Sequence, residues 1–181
     1  MDSSGLLQDQ LRQAHQFLNG TVADITDEQA QWHPDGCANP LGATYAHVLF
    51  GEDAFVAMLS GGQPLFANGW QGRTGVSEPP PLAAPGSVPP VADDWQEWGR
   101  SVRVDMGSLR TYGQAVQQQA DDYLGTLRAG DLDRSLDLSA AGFGEQSLAW
   151  LLSAGLIGHV LSHWGEIACL KGLQGGRGFP I

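Results

Sequence analysis

Apolar positions recur at helical spacing along most of this chain, and four long runs carry the pattern. In the first, roughly residues 5 to 23, Leu7, Leu11, Ala14, Leu18 and Val22 share one face, with Ser3 or Ser4 available as a cap. Thr26-x-x-Gln29 has capping-box form and predicts a short turn of helix from Asp27 to Gln31. The second run opens at Asn39-Pro40, a capping residue followed by proline at the first helical position. It passes through Leu41, Tyr45, Val48, Leu49, Val56 and Leu59 and stops at Gly61-Gly62. The third extends from Asp93-Asp94 to about Arg128 through Val102, Met106, Leu109, Tyr112, Val116, Ala120, Tyr123 and Leu127. Gly99, Gly107 and Gly113 weaken it and predict a break near its start, and Gly130 ends it. After a connection over residues 131–146, Ser147 caps a fourth run that reaches about Leu173 before Gly175-Gly176. No strand alternation of convincing length and no internal repeat interrupts the series. The expected fold class is all-α, a four-helix bundle forming a single domain over residues 1–181.

Residues 61–93 break the helical pattern. Seven of the ten prolines fall between Pro64 and Pro90, including Pro79-Pro80-Pro81 and Pro89-Pro90, so extended chain is expected there. A connection this long serves as a lid, as a crossover between parallel helices, or as a disordered insertion. Phe66 and Trp70 are the residues within it that can pack back, and Trp70 is a candidate cover for a pocket.

Charge narrows the function. Nine Lys and Arg stand against 20 Asp and Glu, a formal net charge of −11. Phosphate-backbone binding needs clustered cations, so no nucleic-acid partner and no anionic membrane surface is expected. Cys37 and Cys169 are far apart, without a CxxC pair, and read as ordinary thiols with no adjacent activating group. Met1-Asp2-Ser3-Ser4 shows no basic or apolar leader pattern, which places the expected location in the cytoplasm. The uncharged stretch from Gln146 to Trp164 approaches the length of a membrane span, yet its serines, glycines and two histidines suit a buried helix in a bundle better.

Five histidines supply the candidate chemistry. His159-Val-Leu-Ser-His163 spaces two imidazoles at i, i+4, about 6 Å apart along one helix face, so both can reach a single ion. Leu152, Leu156, Ile167 and Leu170 share that stripe, so the pair points inward. His47 supplies a third imidazole from the second run. It lies about 20 Å from the C-terminal end of its helix, and His159 and His163 lie about 18 and 24 Å from the N-terminal end of theirs. If these two helices are antiparallel, all three histidines fall in one layer. That arrangement gives an up-down-down-up order, in which the second and third helices are parallel and the proline-rich segment crosses the bundle between them. His15 reads as a core-edge histidine and His33, before Pro34, as a turn residue. Glu52 and Asp53 follow His47 closely but point about 140° and 120° away from it, so neither is a direct ligand. Tyr45, Tyr112 and Trp164 read as core aromatics.

With Ala46-His47-Val48, the Trp32-His33-Pro34…Asn39-Pro40 turn, and Gly158-His159-Val-Leu-Ser-His163-Trp164-Gly165-Glu166-Ile167 on the page, the chain resembles the DinB-like metalloenzymes. The resemblance spans most of the chain. It implies a left-handed up-down-down-up four-helix bundle, a divalent metal on His47, His159 and His163, and a homodimer. Some members of the family are transferases or isomerases that use bacillithiol, mycothiol or glutathione.

Three neutral ligands leave an ion its charge and an open position, the pattern of a catalytic site. Zinc, nickel and iron all accept imidazole, and each acidifies a bound thiol or water. Glu166, one turn beyond His163, is a candidate catalytic residue, with a fourth ligand, an acceptor for an imidazole N–H and a general base as its open roles. The expected function is a metal-dependent enzyme, transferase-like, acting on a small-molecule substrate with a low-molecular-weight thiol as cosubstrate. The alternatives are a hydrolase on the same site, with Glu166 assisting, and a non-catalytic, stress-related binding or assembly bundle.

Overall fold

Each of the four runs becomes helix in the computed structural model of the protein, which describes residues 2–81, 92–139 and 142–179. Helix α1 is Ser3–Val22, α2 Asp27–Gln31, α3 Leu41–Ser60, α4 Ala92–Ser101 and α5 Met106–Thr126. The capping box of α2 forms as its spacing predicts, Thr26 Oγ1 accepting from the Gln29 amide and Gln29 Oε1 from the Thr26 amide. Asp2, rather than Ser3 or Ser4, caps α1, accepting from the Gly5 amide at 2.9 Å. The Asn39-Pro40 expectation shifts by one residue. Pro40 has extended ψ and its carbonyl accepts the first helical bond, from Thr44, so α3 starts at Leu41 and Asn39 stands one position too early to cap it.

The third run breaks, as its glycines predict, but at residues 102–105. There the chain is extended and Val104 bridges antiparallel to Val76. The bridge pins the described part of the proline-rich connection to the bundle, with Asp105 N donating to Gly75 O at 2.7 Å and Ser77 N to Arg103 O at 2.9 Å. Gly75 is required here: φ is +86° and a Cβ would sit 2.5 Å from the Leu109 amide nitrogen. The extended chain expected between Pro64 and Pro81 also contains a 3-10 turn at Leu65–Ala67, while Pro85, Pro89 and Pro90 lie outside the described residues.

The connection after α5 holds a small antiparallel ladder that the sequence pattern is too short to announce, β1 Ser135–Asp137 against β2 Glu145–Ser147. Ser147 then caps the last helix, accepting from Trp150 N at 3.1 Å. That helix is not uniform. It runs as α6 Leu148–Trp150, a π-helical segment Leu151–Ile157, and α7 Gly158–Leu173.

Pairings between helices follow from named contacts. Gln8 reaches Asp121, Asn19 reaches Gln117 and Val22 reaches Arg110, so numbers rise along α1 as they fall along α5. Phe17 stacks on Trp164, and Lys171 donates to Thr21 O, so α1 and α7 rise together. Gly42 approaches Val104 and Phe50 packs on Tyr112, so α3 and α5 rise together. Gly51 meets His159 and Phe55 meets Gly155, so α3 and α7 run in opposite senses. Leu18, Tyr45, Leu49, Phe50, Tyr112 and Ile167 fill one core region, and Leu11, Val56, Leu124, Leu148 and Leu152 fill the other. Among the described residues, no helix is long and apolar enough to cross a membrane.

Two carboxylates in α3 sit inside this core with no exposure, and both are partnered. His15 Nε2 stands astride the Glu52 carboxylate, 2.9 Å from Oε1 and 3.1 Å from Oε2, and only the latter has hydrogen-bond geometry. Asp53 accepts from Leu65 N at 2.8 Å, Phe66 N at 3.0 Å and Tyr112 Oη at 2.7 Å, tying the start of the long connection to α3 and α5. These partners explain why neither side chain turns toward His47.

Candidate metal centre

His47 comes from α3, and His159 and His163 from the first two turns of α7. Their ligating atoms all lie within 4.8 Å of one another. His47 Nε2 and His159 Nε2 face each other at 3.1 Å. Imidazole nitrogens bound to one first-row ion at about 2.1 Å stand roughly 3.0–3.4 Å apart, so the donors are near coordinating positions. Gly51, one turn after His47, lets His159 approach: a Cβ there would stand 3.2 Å from His159 Cε1.

The protonation states suit a cation. Burial, reinforced by His159 and His163, pushes the His47 pKa down to about 3. Burial, with His163 adding, pushes His159 down to about 4. Both rings are therefore neutral near pH 7, with lone pairs available. His163 Nδ1 lies 2.9 Å from Glu166 Oε2. A carboxylate oxygen accepts, so Nδ1 is the donor nitrogen and Nε2 is the one left to face the cluster. The Nδ1 of His47 is buried with no hydrogen-bond partner among the described residues. Three converging imidazoles, two held neutral by burial and the third oriented by a carboxylate, fit a divalent transition ion.

Two cavities flank the cluster along the α3–α7 groove. The smaller, about 230 Å³, is lined by Thr44, His47, Trp95, Trp98, His163 and Glu166 among others. Its cover is Trp95, whose ring meets His47 edge-on at 4.3 Å between centroids. This corrects the expectation for Trp70, which packs on Tyr112 and carries Arg73 over its face, away from the histidines. Trp70 docks there because Asp53 draws residues 65 and 66 toward Tyr112. The larger cavity, about 660 Å³, opens on the other side beside His159.

Residues 10–167 match the sequence model of the DinB superfamily. The chain belongs to the DinB superfamily. A crystal structure of a conserved protein from Enterococcus faecalis superposes with a TM-score of 0.75 at 16% identity, over 94% of this chain and 96% of that one. At that identity the likeness speaks for a shared fold alone. No curated protein matches the sequence significantly.

The remaining sequence candidates lie apart from the cluster. His15 is buried against Glu52, and His33 is exposed with Nδ1 2.9 Å from Pro34 O. Cys37 and Cys169 are exposed thiols. Trp164 stacks on Phe17 and donates to Thr21 Oγ1 at 2.8 Å. Sequence reasoning missed Trp95 and Trp98. The signal for them was an i, i+3 aromatic pair just after Asp93-Asp94, on a helix expected to merge with the third run.

Proposed function

We propose that this DinB superfamily protein is a metal-dependent enzyme that transfers a low-molecular-weight thiol to a small electrophilic substrate. In this reading His47, His159 and His163 hold one divalent transition ion, zinc, nickel or iron. The observation that carries it is the meeting of three imidazole donors within 4.8 Å, between two cavities. The four long helices form a single domain, an up-down-down-up bundle, in keeping with the senses of the α1–α5, α1–α7, α3–α5 and α3–α7 pairs.

A divalent ion held this way would keep its full charge and acidify a thiol bound at an open position. The chain's own residues set the conditions. Burial keeps His47 and His159 unprotonated, so protons do not compete for them at neutral pH. Glu166 fixes the tautomer and ring angle of His163, which makes it a positioning residue. Trp95 and Trp98 wall the smaller cavity with apolar surface, limiting water at the cluster while Thr44 and Asn39 supply polar contacts. Because Glu166 is engaged by His163, the general-base role that hydrolysis would ask of it is less favoured. A small-molecule substrate, homodimeric assembly and a cytoplasmic setting complete the reading.

Elemental analysis of chelator-free protein, wild type beside His159→Ala, tests it. About one equivalent of transition metal in the wild type and little in the variant is the expected result. Wild type that holds no metal after reconstitution with zinc, nickel or ferrous iron refutes the metal site. Metal-loaded protein that turns over electrophiles without added thiol refutes the thiol assignment alone.

A further inference from the structure

The larger cavity differs from its neighbour in chemistry. It follows the α3–α7 groove from His159 toward the C-terminal end of α3 and is walled by Phe55, Met58, Phe143, Trp150 and Leu151. Its polar side chains, His159 and Ser162, both belong to α7 at the end nearest the histidine cluster. The rest is apolar over a length set by α3: Met58 lies about 10 Å further along the helix than Gly51, which packs on His159. The floor is the π-helical segment, where Ala154 and Gly155 present almost no side chain. A Cβ at Gly155 would stand 2.9 Å from Leu151 Cδ1 and 3.5 Å from the Phe55 ring, so a larger residue there would push the Leu151 side chain aside. Met58 is 57% exposed and Phe143 55%, so large apolar groups stand in water at the rim. A trough of about 660 Å³, apolar except at one end, has the size and composition of a small-molecule site.

We infer that this trough binds the apolar body of the substrate, an aryl or medium-chain alkyl group, and directs its polar, reactive end past Ser162 to the His47–His159–His163 cluster. The substrate is then an uncharged amphiphile. Among the described residues, nothing in the lining would neutralise a charged body, and the protein as a whole is acidic. The position of the reactive end rests on the metal reading above, whereas the binding of the body does not. A charged nucleophile or a small polar thiol fits the other cavity, beside Thr44, Glu166 and the tryptophans. The two reactants would approach the cluster from opposite ends of one groove.

Two probes separate the inference from the metal reading. The first is prodan, a neutral apolar naphthalene fluorophore, titrated into metal-free protein. It should bind with a blue-shifted emission, and Ala154→Trp, which fills the floor, and Met58→Glu, which charges the rim, should each weaken it at least tenfold. Both residues are exposed on helices, so the helical circular dichroism should be unchanged. Phe143→Ser, at the β1–β2 turn, replaces either variant that fails to fold. The second probe is a series of alkyl hydroxamates, from acetohydroxamate to octanohydroxamate, followed through the visible spectrum of cobalt(II)-loaded protein. Each added methylene should tighten binding about fourfold, and Ala154→Trp should flatten the series. Acetohydroxamate binding with no gain along the series overturns the inference and leaves the metal site standing. A protein that holds no cobalt defeats the metal reading, and prodan then decides the trough alone. Prodan binding that is absent, or indifferent to the variants, overturns it. So does sedimentation showing that Met58→Glu splits a wild-type dimer, which would make this face an interface between copies.

Discussion

Glu166 is where the geometry makes its sharpest demand. Its Oε2 accepts from His163 Nδ1 at 2.9 Å, with the two side chains 28% (His163) and 40% (Glu166) exposed. A hydrogen bond to a charged group contributes about 1.5–3 kcal/mol when shielded from water. The partial exposure of this pair puts it at or just below the low end of that range. About 1.4 kcal/mol corresponds to tenfold in an equilibrium constant, the lower edge of the 10–100-fold expected for an acceptor behind a metal-bound imidazole. Glu166→Ala should therefore weaken zinc binding about tenfold while the stoichiometry stays at one. Glu166→Gln keeps an acceptor oxygen and loses only the charge, so it should recover about half of that free energy and weaken binding roughly threefold. Competition against a chromophoric chelator at fixed pH measures both. Thermal unfolding of the metal-free variants should barely move, since a half-exposed side chain contributes little to the core. Loss of all bound metal in Glu166→Ala would make Glu166 a ligand in its own right. Affinities within twofold of wild type would show that the hydrogen bond positions nothing.

Asp53→Asn turns an amide either on the Leu65 N–H that Oδ1 accepts from or on the Phe66 N–H and Tyr112 hydroxyl that Oδ2 accepts from, so a cost of about 2–4 kcal/mol is expected. Calorimetry should show Tm lower by about 5–15 °C, with metal binding preserved, and an unchanged Tm would refute the anchoring role. The histidine cluster also predicts a pH dependence of the metal-free protein. The folded pKa values of His47 and His159, about 3 and about 4, lie below the unfolded value of 6.5. Well above pH 6.5 both are neutral in either state and add no slope. As pH falls below it, the unfolded chain takes up protons that the folded chain refuses, so stability drops by up to about 1.4 kcal/mol per pH unit for each ring down to about pH 4. Urea midpoints measured from pH 7.5 to 4.5 should show this fall, and His159→Phe should remove part of it. A flat profile would mean that the rings are not held neutral.

The helices and the histidine trio are legible in the sequence because both depend on period. Leu11, Leu18, Leu49, Leu109 and Leu152 are buried where a 3.6-residue repeat puts them. His159 and His163 share a face for the same reason. Features that depend on three-dimensional neighbours are not legible. Periodicity cannot distinguish a π segment from an α-helix, so the floor of the apolar trough went unseen. Nor can it show that Val76 and Val104, far apart in the chain, form a bridge that starts α5 late. Trp70 and Trp95 are alike as residues in or beside a proline-rich stretch. Only the docking of α4 on α3, with Asn39 beside Gly99, brings Trp95 over His47 and leaves Trp70 on Tyr112.

The polar groups that α3 carries into the interior show why the histidine cluster stands apart. Glu52 is answered by His15, and Asp53 by two amides and a tyrosine hydroxyl. In both cases the chain supplies a partner of complementary character, fully for Asp53 and through Oε2 for Glu52, so much of the burial cost is offset within the fold. His47 is treated differently. Its Nδ1 has no partner among the described residues, and its Nε2 faces that of another neutral imidazole at 3.1 Å. A single proton between two lone-pair nitrogens satisfies the pair incompletely, and protonating either ring is opposed by burial and by its neighbours. Replacing both facing imidazoles by leucine would remove this cost, so the metal-free protein should gain stability, read as a higher urea midpoint, from the double change His47→Leu with His159→Leu where most core polar substitutions lose it. A ligand that brings positive charge and accepts three lone pairs resolves the same conflict from outside. The state of the cluster, three imidazoles turned on one another where Asp53 has three donors and Glu52 has His15 against its carboxylate, is the physical reason to read it as a binding site.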